Sequence, residues 1–179
     1  MAWHRSSARL PRNLETATFV VTSINGFLFD YTHTRGLGTD RISSEREELE
    51  SALYTCLSTR HLRSVRVEVF GSEADDTAAE WFDITFEWVS PDDWDSTEKQ
   101  GAPENFGQYR EELMSQLQAL DTLPSTVDYR ILLGISENDL GQPFPSIEGW
   151  VETTPRSEPS TEDIDADRQR DLTWLEYLR

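Results

Sequence analysis

Histidine and cysteine side chains build most metal sites and many nucleophilic catalysts, and this sequence contains three histidines and one cysteine. His4, His33, His61 and Cys56 lie at spacings that match no zinc or catalytic motif, and neither an HExxH nor a CxxC pattern occurs. The sequence therefore predicts no metal ion, no cofactor and no catalytic residue. Cys56 lies on the apolar stripe of a predicted helix, where a buried neutral thiol is unreactive.

Carboxylates offer two further kinds of chemistry. Residues 93–104 place oxygen-bearing side chains in a frame like that of a calcium loop, but Glu98 takes the position that needs glycine and Pro103 follows near its end. Asp83 and Glu87 lie on the polar side of a predicted strand, where nothing raises the pKa of either carboxyl for acid–base catalysis. We therefore expect no specific calcium site and no enzyme.

The charge of the chain is strongly negative. It has 34 acidic and 16 basic residues, a formal net charge of −18, and Lys99 is its one lysine. A carboxylate-rich, lysine-poor surface is typical of proteins that work in concentrated salt, where screening limits self-repulsion. The sequence therefore predicts an acidic surface with halophilic adaptation. The alternative, a GC-rich codon bias, explains the missing lysines but not the excess of acids.

The same charge argues against a nucleic-acid platform, which needs clustered basic side chains. The one basic segment is the first 14 residues, with Arg5, Arg9 and Arg12, so we expect at most a weak contact of this arm with nucleic acid. No apolar run approaches the roughly 18 residues of a membrane span, and the N-terminus lacks the apolar core of a signal peptide. We therefore expect no membrane contact and a protein that is cytoplasmic or assembled into a virion.

The dipeptide Asn25-Gly26 is the clearest turn signal of the sequence. Both residues tolerate the positive φ of a type I′ turn, and apolar and aromatic residues alternate on either side of it. The pattern predicts a hairpin of two strands, residues 17–24 and 27–32, with one buried face.

Two helices and several strands follow. Ser44 and Glu47 fit a capping box at the start of the first helix, whose apolar stripe runs to Leu57. Asn105 begins the second helix, which continues to about residue 120. Alternating apolar residues predict strands over residues 65–69, 82–88 and 127–135, and a short edge strand over 147–151.

This element order, β-β-α-β-β-α-β, predicts an α+β two-layer sandwich with a mostly antiparallel sheet and two helices on one face. The other face of the sheet should meet solvent or a partner because its positions are charged. These positions are Arg66, Glu68, Asp83, Glu87, Asp128 and Arg130.

Four segments make up the predicted organisation: a basic arm (1–14), the α+β domain (15–152), a linker rich in proline and small polar residues (153–160) and an amphipathic helix (161–179). Large apolar residues after a flexible linker are expected to pack on the parent domain or on a partner. The candidate partner-binding residues are Leu172, Trp174, Leu175, Tyr177 and Leu178.

The sequence thus predicts a non-enzymatic structural or adaptor protein that acts through protein–protein contacts, as a homo-oligomer or with other subunits. Its element order is similar to that of small α+β subunits of virus tails and head–tail connectors, which implies a virion subunit of a halophilic host's virus. The alternative is a regulatory or DNA-metabolism accessory factor that uses the C-terminal helix as a partner-binding peptide.

Overall fold

The computed structural model describes residues 17–88, 110–138, 140–157 and 171–178 with their side chains, except that of Glu87, and the backbone alone of residues 3–10. The elements in chain order are β1 (Trp3–Leu10), α1 (Ala17–Thr34), α2 (Asp40–Ser44), α3 (Arg46–Ser58), β2 (Leu62–Phe70), β3 (Glu80–Trp88), α4 (residues 110–118), β4 (Asp128–Ile135), β5 (Trp150–Thr153) and β6 (Thr173–Tyr177).

The strands form one sheet in the order β1-β3-β2-β4-β6-β5. β1 pairs with β3 in parallel, and the other four neighbouring pairs are antiparallel. The predicted α+β class with a mostly antiparallel sheet is therefore confirmed. The predicted element order is wrong, because helices replace the first hairpin and a strand lies where the C-terminal helix was expected.

Residues 17–34 form α1, not the predicted hairpin. Asn25 and Gly26 lie inside the helix, where the Asn25 amide donates a hydrogen bond to Glu50 of α3 at 3.0 Å. The error has a physical cause: the apolar residues of this segment satisfy a helical period as well as a strand period, and packing decides between them. The buried residues of α1 are Ala17, Val20, Val21, Ile24, Phe27, Leu28, Tyr31 and Thr32.

The two predicted helices are present. α3 buries Leu49, Cys56 and their neighbours, but it does not begin with a capping box. The hydroxyl of Ser44, the last residue of α2, donates to the Arg41 carbonyl, and the side chain of Glu45 forms no capping hydrogen bond. The second predicted helix is confirmed as α4 over residues 110–118, and its expected start at residues 105–109 lies outside the described residues.

The strands predicted from alternation are confirmed as β2, β3 and β4, and β2 and β3 pair in antiparallel orientation. Most of their apolar positions face the helices. The core residues from these strands are Val65, Val67, Val69, Phe82, Ile84, Phe86, Tyr129, Ile131, Leu133 and Ile135. The predicted edge strand over 147–151 is found as β5, which begins three residues and ends two residues further on, and it is an edge of the sheet.

The C-terminal residues 173–177 form β6 rather than the predicted helix. Trp174 and Leu175 are both buried because a strand points consecutive side chains to opposite faces, and each face of the sheet is covered at this position. The remainder of the predicted helix, residues 161–170, lies outside the described residues.

The sheet face that was expected to meet solvent is instead partly buried and internally ion-paired. Arg66 pairs with Asp83, and Glu68 pairs with Arg130, with Glu68 and Asp83 fully buried. Asp128 is exposed, as expected. Four charged positions of this face, Arg66, Glu68, Asp83 and Arg130, therefore neutralise one another within the chain.

Candidate partner-binding site

β6 covers only half of the edge of β4. It pairs with residues 132–135, so residues 128–131 of β4 have no strand partner on that side within the described part of the chain. β5 pairs with β6 and is the outermost strand there. We call the space beside residues 128–131 the notch. Unpaired backbone groups at such an edge can hydrogen-bond to another strand.

The notch contains a cavity of about 230 Å³. The apolar side chains at its base lie on the helix side of the sheet, and most side chains around its opening are charged. The floor is Ile42, Leu49, Ile131 and Trp150, and the rim includes Arg41, Glu45, Glu73, Arg130, Glu176, Tyr177 and Leu178. Burial raises the pKa of the Glu45 carboxyl, with the guanidinium of Arg41 opposing the shift. The cavity can therefore accept an apolar side chain while its rim contacts polar groups.

Arg130 ties the C-terminal hairpin to the centre of the sheet. Its guanidinium bonds to Glu68 of β2 at 2.9 Å, to Glu176 of β6 at 2.8 Å and to the carbonyl of Thr154 at 2.9 Å. Burial raises the pKa of Glu68, and the neighbouring guanidinium of Arg130 is the main opposing influence. Removal of β6 from β4 would leave Arg130 with one fewer carboxylate.

The residues after β5 cross the sheet towards β3. The backbone N–H of Arg156 donates to Glu68 at 3.1 Å, its guanidinium lies 3.6 Å over the ring of Phe70, and Ser157 forms a parallel bridge with Thr77. Residues 153–157 of the predicted linker are therefore fixed on the molecule by hydrogen bonds, and residues 158–160 lie outside the described part.

The five residues predicted to bind a partner lie around this hairpin. Trp174 and Leu175 are buried in the chain's own sheet, while Leu172 and Tyr177 are half-buried. Leu178 is 59% exposed and lines the notch with Tyr177. The structure thus brings only these last two to an open surface together.

The residues first considered for chemistry are dispersed. Cys56 is buried, as predicted, and burial raises the pKa of its thiol to about 12. His61 is buried with Nε2 3.0 Å from the Gln142 carbonyl, and His33 is exposed. The described residues contain no cluster of three or more potential metal ligands. The side chains of His4 and Glu87 and the loop at 93–104 lie outside the described residues.

Sequence reasoning missed the floor of the notch. Leu49 lies on the apolar stripe predicted for α3, but Ile42 and Trp150 carry no motif that would link them to Ile131. Within the described helices, none is long and apolar enough to cross a membrane.

Comparison with known proteins adds a family and a fold. A family model described as bacterial HORMA domain 2 matches residues 6–164. Ten solved chains match the structure. One of them, in a structure of HTP-2 bound to HTP-3 motif-6, has a TM-score of 0.57 and 13% sequence identity, covering 92% of this chain and 90% of that chain. At this identity the likeness concerns the fold. A comparison with curated proteins finds no match.

Proposed function

The chain belongs to the bacterial HORMA domain 2 family, and on this premise we propose that it is an adaptor that binds a short motif of a partner protein. HORMA domains are protein-interaction modules, which agrees with the predicted non-enzymatic adaptor. In the similar solved structure, HTP-2 is bound to a motif of HTP-3. We propose the same kind of partner, a short motif of another protein, for this chain.

The observation that carries the proposal is the incomplete pairing of β4. A partner segment in extended conformation can add to residues 128–131, where its backbone replaces the missing strand. A partner side chain that points to the same face of the sheet as Ile131 would enter the apolar floor, because paired residues of neighbouring strands point to the same face. The next side chain would point to the opposite face, beside Arg130.

The size of the cavity favours a peptide over a small ligand. Small-molecule sites enclose about 300–1,000 Å³, and the notch encloses about 230 Å³. A single side chain of a partner can fill this space while the partner backbone pairs with β4. We therefore expect motifs with one apolar anchor in an otherwise extended polar segment.

Selection of 16-residue peptides from a random display library on the full chain tests the proposal. Selected peptides should slow exchange of those amides among residues 129–131 that point away from β2. Leu178→Glu, which places a charge at the mouth of the notch, should weaken their binding about tenfold or more, equivalent to at least 1.4 kcal/mol. Leu140→Glu is the matched control because Leu140 is 75% exposed and does not line the notch. Peptides that protect only other amides, and that bind both variants alike, would contradict the proposal.

Several narrower statements about the protein remain predictions. They are the virion tail or connector role, the homo-oligomer, the cytoplasmic location, the halophilic adaptation and the absence of nucleic-acid binding. Analytical ultracentrifugation tests the homo-oligomer, which gives multiples of 20.6 kDa. Circular dichroism in low and molar salt tests the halophilic adaptation, because a salt-adapted protein stays folded only at high salt. The accessory-factor alternative requires Trp174 and Leu175 to leave the sheet in which they are buried, which makes it less favourable.

A further inference from the structure

A second open surface lies at the end of β4 and β6 away from the notch. It is a groove of about 750 Å³ between the β5–β6 hairpin and the loop that follows β4. Its floor is apolar and includes side chains of the core. The floor residues are Ile135, Phe144, Ile147, Trp150 and Leu175.

Three carboxylates line this groove, from Glu137, Glu152 and Asp171, and no basic residue is among the described residues that line it. None of the three carboxylates forms an ion pair with a described residue. This sets them apart from the acids of the sheet face, such as Glu68 and Asp83, which are held by arginines. The groove therefore combines an apolar floor with three carboxylates that pair with no described base, and the nearby Arg63 guanidinium bonds to the backbone carbonyl of Glu137 at 3.1 Å.

The three carboxylates do not converge on one point, since the described residues hold no cluster of three acids that could share a metal ion. Their charges are better matched by separate cationic groups spaced along an extended ligand. Nucleic acid and anionic membrane surfaces are disfavoured because their phosphates would meet carboxylates.

We propose that this groove binds a cationic amphipathic segment of a partner protein, with apolar side chains on the floor and Lys or Arg side chains against Glu137, Glu152 and Asp171. The assignment is independent of motif binding at the notch. An adaptor joins two partners, and the groove and the notch flank the same hairpin, with Trp150 lining both.

The test again selects peptides from a random 16-residue display library on the full chain. The net charge of the selected peptides and their affinity for a groove variant are then measured. The variant Glu137→Gln/Glu152→Gln/Asp171→Asn removes the three groove charges and keeps the side-chain shapes. Glu47→Gln/Glu111→Gln/Asp121→Asn removes the same charge from exposed sites elsewhere. Both variants should melt as the wild type does because the altered residues are exposed.

We expect a group of selected peptides that are rich in Lys or Arg and in apolar residues. Their affinity for the groove variant should be at least tenfold lower than for the wild type, and their affinity for the control variant should be unchanged. Their affinity should also fall between 0.1 and 1 M KCl. Peptides that are lost on Leu178→Glu but not on the groove variant belong to the notch, so the two sites fail separately. The proposal is overturned if no selected peptide responds to the groove variant, or if the responding peptides are not cationic. Self-association of the wild type that the groove variant abolishes would also overturn it, because the occupant would then be a second copy.

Discussion

The guanidinium of Arg66 holds the carboxylate of Asp83 through two hydrogen bonds of 2.7 and 2.8 Å, on the sheet face opposite the helices. The two side chains are 3% and 0% exposed. The rings of Trp81 and Trp174 lie over the guanidinium at 4.4 and 4.8 Å. Because Trp174 belongs to β6, this ion pair also anchors the C-terminal hairpin to the centre of the sheet.

Loss of the Asp83 carboxylate should therefore be strongly destabilising. Asp83→Ala leaves the Arg66 guanidinium buried with less compensation, and we expect the free energy of unfolding to fall by about 3–5 kcal/mol. Urea denaturation followed by circular dichroism measures it. The control is Asp128→Ala, which removes a half-exposed carboxylate that pairs with Arg41 and accepts the Tyr129 N–H, and which should lose only about 1–2 kcal/mol. Equal losses in both variants would contradict the assigned role of the Arg66 pair.

A second buried pair joins α1 to the start of β3. The Tyr31 hydroxyl donates to Glu80 at 2.5 Å, and Arg35 bonds to the same carboxylate at 2.8 and 2.6 Å. Tyr31→Phe removes one hydrogen bond to a charged group, so we expect a loss of about 1.5–3 kcal/mol in the free energy of unfolding. Tyr54→Phe, at a ring 49% exposed, should leave the urea midpoint unchanged. A Tyr31 variant as stable as wild type would show that Arg35 alone satisfies Glu80.

Much of the sheet follows from the sequence because most apolar residues of β2, β3 and β4 alternate onto one face, with Phe70, Trp81 and Leu132 as buried exceptions on the other. The pattern of residues 17–34 is ambiguous, since their apolar residues are numerous enough to fit both the helical period and the strand period. The C-terminal residues fail for the same reason: a run of large apolar residues fits a helix stripe and a strand buried on both faces equally well.

The ion pairs and the notch depend on register, which local patterns do not reveal. Arg66 and Asp83 are direct partners in the β2–β3 ladder, but each is only a polar position in an alternating strand when the sequence is considered alone. The notch exists because β6 is shorter than β4. The groove carboxylates come from three separate segments, and only the fold places them beside one floor.

Alkaline pH should destabilise the fold. Burial raises the pKa of Cys56 and of Tyr129 to about 12, and raises that of Tyr31 well above its usual value. In the unfolded chain these groups lose protons near pH 8.5 and 10. Between about pH 9 and 12 the unfolded state therefore binds fewer protons than the folded state, and stability that is complete below pH 8 is lost as the pH rises. We expect slopes of up to about 1.4 kcal/mol per pH unit for each group.

Urea midpoints at pH 8, 9, 10 and 10.5 measure this loss. Cys56→Ala should reduce stability at every pH but flatten the fall between pH 9 and 10, where the thiol contributes most. A wild-type midpoint that is constant up to pH 10.5, or an unchanged slope in the Cys56 variant, would contradict the burial-driven shifts.

Gly149 controls the geometry of the hairpin beside the notch. Its φ is +80°, a methyl group at this position would lie 2.7 Å from the Tyr177 ring, and its carbonyl accepts the N–H of Leu178. Gly149→Ala should therefore add steric displacement of Tyr177 to a backbone strain of about 1–2 kcal/mol. Gly141→Ala, at a φ of +66° with nothing within 4 Å, adds the strain alone. We expect Gly149→Ala to lower the urea midpoint further and to speed amide exchange in β6, while Gly141→Ala leaves β6 exchange unchanged. Identical exchange in both variants would show that Tyr177 moves without disturbing β6.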